Sequence, residues 1–199
     1  MKRVLVLTLA LVCANQLMAA EGEGINSRVI HHYTELGVGY EFFEEVAGGT
    51  AHGARAHTSV DMDNILFDVN GGYAWGKGDL EFWGVGAGIG YVVRLMRNHI
   101  NIIPRFGMSY DKFEFGDAED SVTTIQPGAT LSFAINNRLS VGGNYTYVRA
   151  LDNNEEDVHT FGPIARFAIT ESMGLDFGAR FQTEGQAFVS AFGGVTFHF

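Results

Sequence analysis

Cysteine occurs once in the 199 residues, at position 13, and proline three times. A single cysteine excludes a disulfide framework and a thiolate metal centre. Charge is scarce as well. Asp, Glu, Lys and Arg make up 18% of the chain, against about a quarter in an ordinary soluble domain. After residue 20 no uninterrupted apolar run approaches the roughly 18 residues of a transmembrane helix. No basic–aromatic patch points to nucleic acid. What the chain has in excess is glycine, with 26 residues, and phenylalanine, with 16. Glycine at this level argues against a helical bundle, since each one inside a helix costs about 1 kcal/mol relative to alanine. The aromatic and aliphatic content argues against disorder. An all-β protein remains.

Residues 1–20 read as a secretory signal peptide. Lys2 and Arg3 form the positive n-region, Val4 to Val12 the short apolar h-region, and Ala19 and Ala20 the small residues at the cleavage point. Cys13 does not fit a lipoprotein site, because Val12 before it is not small. Loss of Lys2 and Arg3 takes the formal balance from −10 to −12 by subtraction of two positive charges. Residues 21–199 then form one β-domain, without linker or low-complexity tract.

Period-two alternation, the strand signature, divides this domain into ten segments: 32–43, 53–61, 65–76, 80–95, 99–112, 122–135, 138–149, 158–169, 173–182 and 187–199. If 53–61 is loop the count falls, and eight strands is the alternative. Short turns at Met62–Asn64, Met96–Asn98, Asn136–Asn137 and Thr170–Ser172 alternate with five other connections. Three of those five, Glu44–His52, Phe113–Ser121 and Ala150–Asp157, are longer and acidic. Short turns on one rim and longer loops on the other suit an up-and-down antiparallel barrel of the outer-membrane type.

The two faces of the strands support this. In 80–95, Trp83, Val85, Ala87, Ile89, Tyr91 and Val93 oppose Gly84, Gly86, Gly88, Gly90 and Arg94. A solvated second face would carry Lys and Glu. This one is small and polar, as a narrow lumen requires. The apolar face then meets lipid, where every backbone group must be paired inside a closed sheet. Tyr40, Phe42, Trp75, Trp83, Tyr110, Tyr145 and Tyr147 gather near the long-loop rim. Phe133, Phe167, Phe197 and Phe199 gather near the other. Two aromatic girdles are expected at the two membrane interfaces.

The chain ends Gly194-Val195-Thr196-Phe197-His198-Phe199. With Gly37-Val38-Gly39-Tyr40 and Gly71-Gly72-Tyr73, this ending resembles the small outer-membrane β-barrels of Gram-negative bacteria, the OmpA/OmpX-like group of porin-family barrels. The resemblance implies that Gly194, Phe197 and Phe199 form a C-terminal signal read by the barrel-assembly machinery. Phe192 departs from that pattern, which has a polar residue there. The resemblance also implies surroundings of outer-membrane lipid and lipopolysaccharide. It leaves activity open, since one fold hosts many functions.

Strand parity turns Glu35, Asp61, Asp68, Asp111 and Asp176 into the lumen, with Arg55, Arg94, Arg105, Arg166 and Arg180. Unpaired charge inside a narrow barrel is costly, so these ten are expected to pair and fill it. Glu41 and Arg138 share the parity but are placed at strand ends and left out. The function expected is a structural or surface-interacting barrel with a filled lumen and no catalysis, as a monomer. A narrow diffusion pore is the alternative. A lipid A-modifying enzyme is the third reading. Against it, the single His-x-Ser, His57-Thr58-Ser59, faces the lumen, and Val60 follows where that chemistry has Asn. No cofactor or metal site is expected. Adjacent His31 and His32 point to opposite faces of a strand. Glu44, Glu45, Glu114, Asp117, Glu119, Asp120, Asp152, Glu155, Glu156 and Asp157 form an acidic loop rim, with divalent cations as a candidate partner.

Overall fold

The computed structural model describes residues 34–46, 49–76, 80–95, 100–115, 118–136, 138–151, 157–170, 172–183 and 188–198. The signal peptide, His31, His32, Asp117, Asp152, Glu155, Glu156 and Phe199 lie outside them.

Ten strands form one closed antiparallel sheet. They are β1 (Thr34–Val46), β2 (Gly49–Met62), β3 (Ile65–Gly76), β4 (Leu80–Tyr91, resuming as Val93–Leu95) and β5 (Ile100–Phe115). β6 (Ala118–Ala134), β7 (Leu139–Ala150), β8 (Val158–Ala168), β9 (Met173–Gln182) and β10 (Phe188–His198) complete the ring. Each strand pairs with its sequence neighbour, and β1 closes on β10 from Glu35↔His198 to Glu44↔Val189. The segment 53–61 is strand, so the barrel has ten strands and not eight.

Local chemistry sets the turns and the breaks. Asp63 and Asn64 have φ of 54° and 73°, the left-handed conformation that a two-residue hairpin needs and that Asp and Asn tolerate. Asn136 Oδ1 accepts from the amides of Arg138 at 2.8 Å and Leu139 at 3.0 Å, closing the β6–β7 turn. β4 is interrupted at Val92, although its register with β5 continues from Gly90↔Arg105 to Val93↔Ile102. That register sets Pro104 opposite Tyr91, and proline has no N–H for the ladder.

Two hairpins are taller than the sequence alternation implies. Glu44 and Glu45 belong to β1, and the β1–β2 register runs on to Val46↔Gly49. Likewise β5 and β6 pair up to Phe115↔Ala118, with Glu114↔Glu119 in register. Most of the two acidic loops at 44–52 and 113–121 is therefore strand. Backbone pairing continues beyond the apolar band because it does not depend on side-chain polarity.

The outward face is apolar and exposed. Val38, Val69, Val85, Ile89 and Phe177 are 46–56% accessible. The girdle residues Tyr40, Phe42, Trp75, Trp83, Tyr110 and Tyr145 are all exposed outward. Trp83 and Tyr110, on adjacent strands, have ring centroids 5.8 Å apart. Buried residues face the interior, where, among the described residues, 26 polar or charged side chains stand against 12 hydrophobic ones. That is the reverse of a soluble core.

Candidate functional site

The site is the lumen, and glycine makes room for it. A Cβ at Gly84 would collide with the Asp111 carboxylate, and one at Gly86 would lie 2.7 Å from Asn70 Oδ1. One at Gly90 would lie 3.4 Å from the Cβ of Arg105. The glycine row of β4 is thus the bed on which side chains from β3 and β5 lie. The same holds elsewhere: a Cβ at Gly37 would strike the His57 ring, and one at Gly178 the Phe192 ring. At the seam, a Cβ on Gly194 would lie 2.7 Å from the Val38 carbonyl oxygen. This C-terminal glycine lets β1 and β10 close.

The lumen is layered. Towards the long-loop rim Phe43, Phe82, Phe113, Val148 and Val158 point inward and are all buried. The Phe82 and Phe113 rings meet at 4.8 Å. Sequence parity alone would give this layer, but the loop boundaries placed Phe43 and Phe113 at or beyond strand ends. Below it Arg55 and Arg180 rest on the Phe192 ring, at 4.1 and 5.0 Å from its centroid, a favourable cation–π geometry. Both act electrostatically on Glu41, which accepts a hydrogen bond from Ser190. Glu41 is buried within β1 and belongs to the lumen set from which its assumed place at a strand end had excluded it. Arg138, by contrast, is exposed. Phe192, odd as part of a C-terminal signal, fills the middle of the barrel.

Asp111 lies in the opposite wall, fully buried. Ser109 donates to it at 2.7 Å, and Ser109, Thr124 and Gln126 are linked at 2.8–3.0 Å. Its other oxygen has no hydrogen-bond partner, and no described residue forms an ion pair with it. A buried carboxylate without counter-charge is destabilising. Asp111→Asn, which keeps the shape, should therefore leave the urea midpoint unchanged or raised. A loss of more than about 1 kcal/mol would show that the carboxyl itself is needed.

Nearer the short-turn rim the charges pair directly. Arg105 meets Asp68 at 2.7 Å, and Arg94 meets Asp61 at 2.5 Å. Arg94 also donates to Asn64 Oδ1 in the β2–β3 turn. Arg166 takes two carboxylates. Its Nη1 and Nη2 reach Glu35 at 3.0 and 2.8 Å, and its Nε and Nη2 reach Asp176 at 2.6 and 3.0 Å. Thr196 donates to the same Asp176. His57 Nε2 is 3.2 Å from Glu35 Oε1, and His198 Nδ1 is 3.6 Å from Oε2. Leu66, Val92 and Ile103 form a buried apolar cluster near this end. A void of about 20 Å³ touches Arg166, Asp176 and Phe192, room for about one water.

All ten charges assigned by parity are buried or half-buried inside the barrel. Seven of them pair in the lower half: Glu35, Asp61, Asp68, Asp176, Arg94, Arg105 and Arg166. Arg55 and Arg180 sit with Glu41 and Phe192, and Asp111 stands apart. His57 and Ser59 are buried in the lumen, away from the outer surface.

The acidic rim is partly tied up. Lys112 lies 3.2 Å from Glu114 and 2.7 Å from Glu119. Asp157 accepts from the Tyr147 hydroxyl at 2.5 Å. Asp120 is exposed and accepts from the Ser121 amide. Tyr40 and Tyr145 form hydrogen bonds with His52 and His159 at 2.5 and 2.7 Å.

The architecture is shared with solved barrels. The transport unit of the autotransporter AIDA-I from Escherichia coli superposes with a TM-score of 0.51 at 10% identity, covering 99% of this chain and 97% of that one. The KdgM porin gives 0.50 at 12% identity, covering 82% and 99%. A bacterial polysaccharide outer-membrane secretin gives 0.51 at 10%, covering 83% of this chain and 65% of that one. No protein-family model and no curated protein matches the chain. At these identities the likeness concerns fold alone: the chain folds as a closed ten-stranded antiparallel β-barrel of the kind found among bacterial outer-membrane proteins.

Proposed function

We propose that this protein is an integral barrel of the bacterial outer membrane, non-catalytic, monomeric, with a structural or surface-interacting role. The observation that carries this is the inverted burial: an apolar coat outside, and buried polar, charged and aromatic side chains inside. Phe43, Phe82 and Phe113 are buried near one rim, Phe192 with two arginines lies below them, and ion pairs and neutral polar side chains line the rest. Lipid and lipopolysaccharide surround the coat, with the aromatic girdles at the interfaces. The signal peptide at 1–20 sends the chain across the inner membrane. The C-terminal signal of Gly194, Phe197 and Phe199 is read by the barrel-assembly machinery, as in the OmpA/OmpX-like group. Divalent cations are the partner that suits the acidic rim.

The experiment is planar-bilayer recording of the purified protein. A side-chain-filled lumen gives no steady conductance in molar salt. A stable open current of a fixed unit size would replace this reading with the diffusion pore, the function that the KdgM porin's name carries.

A further inference from the structure

We infer that the lower lumen holds a binding site for a late first-row divalent metal ion such as zinc, built by Glu35, His57 and Asp176. This rests on the closed-lumen reading above only in that the site is sheltered by the barrel. The carboxylate and imidazole donor atoms of these three residues lie within 4.8 Å of one another, and all three side chains are buried. Zinc takes imidazole nitrogen and carboxylate oxygen at about 2.0–2.2 Å, so closing on an ion asks each side chain for a movement of an ångström or less. Imidazole with carboxylate selects zinc, nickel or copper over calcium and magnesium. His198 Nδ1 lies 3.6 Å from Glu35 Oε2, beside this donor group but not part of it, and water can complete the zinc shell.

Two independent features point to a ligand here. The first is charge. Two carboxylates, Glu35 and Asp176, share the guanidinium of Arg166 in a buried place. Arg55 and Arg180 lie over the Phe192 ring. The second is a cradle. Gly37 on β1 lets the His57 ring lie where any Cβ would collide with it, and a Cβ at Gly174 would touch His198 Nε2 at 3.7 Å, an ordinary contact. Arg166 need not leave. Each carboxylate oxygen has lone pairs for two partners, and metal-ligating carboxylates are ordinarily held by such outer hydrogen bonds. The 20 Å³ void beside Arg166 and Asp176 gives room for the shift.

Isothermal titration of untagged, detergent-solubilised protein with zinc, calcium and magnesium tests this, with cobalt absorption as a spectroscopic signature. One zinc per chain is expected, with cobalt giving the visible bands of a four-coordinate site. His57→Ala and the milder His57→Gln should each weaken zinc uptake at least about 100-fold, and His52→Ala, His159→Ala and the double variant His31→Ala/His32→Ala should leave it unchanged. His57→Gln keeps a donor towards Glu35 and decides the matter if His57→Ala does not fold. No zinc uptake at millimolar concentration, or uptake that persists in His57→Gln, overturns the site. Calcium and magnesium uptake insensitive to His57 reports on the acidic rim, and equal affinity for all three ions overturns the zinc assignment.

Discussion

Arg166→Ala is expected to cost the barrel about 3–5 kcal/mol, the usual penalty for stranding buried charge by removing its partner. The guanidinium holds Glu35 through two contacts and Asp176 through two more. It therefore ties β8 to β9, its neighbour, and to β1, which is not. Arg166→Lys should recover little, because a point charge cannot span two carboxylates as a planar fork does. The triple change Arg166→Met, Glu35→Gln, Asp176→Asn should restore most of the loss, since it leaves no buried charge unpaired. Urea unfolding in lipid vesicles, followed by tryptophan fluorescence, measures this, with exposed Arg138→Ala as the reference expected within about 0.5 kcal/mol of the parent. A loss under about 1 kcal/mol in Arg166→Ala would mean that water reaches the cluster and that the lumen is not closed.

Gly162→Ala is the second large effect. The added methyl would run into the Ala179 carbonyl oxygen, with its carbon at 2.8 Å and the Arg180 Cα at 3.0 Å. These are backbone atoms of β9, and no rotamer change moves them out of the way. The strand pair has to separate just where Pro163 already interrupts the β8–β9 ladder between Ile164↔Gly178 and Phe161↔Phe181. A loss at the upper end of the 1–3 kcal/mol range for overpacking, or failure to fold, is expected. Gly71→Ala is the contrast: its methyl meets atoms at 3.5 and 3.8 Å, ordinary contact distances, and its effect should stay within about 0.5 kcal/mol. If the two variants unfold together, the glycine content reflects strand flexibility and not the space required inside the barrel.

The charges of the lumen were legible because parity is local. Once a strand is recognised, every second residue shares a face, so Asp68, Arg105 and Arg180 could be turned inward from their neighbours alone. Glu41 was missed for a boundary reason. Glu44 and Glu45 look like the start of a loop, yet the hairpin continues through them, and a residue taken for a strand end is well inside the barrel. The zinc cluster left no signal of its own. Glu35, His57 and Asp176 have no common spacing, and the one histidine pair that the sequence displays, His31 and His32, lies outside the described residues.

Two physical facts divide what each level decides. A strand's faces follow from its own pleat, so the alternation by itself determined a β-barrel with an apolar coat and a small polar lining. Which lining residues meet depends on strand tilt and on the stagger of hydrogen-bond register around a closed ring. Those quantities are set only when β1 closes on β10. That closure brings Arg166 to Glu35, 131 residues away in sequence, and seats Phe192 beneath Arg55 and Arg180. The tertiary structure alone thus decided the cross-lumen partners, the isolated Asp111 and the donor set at the base of the barrel.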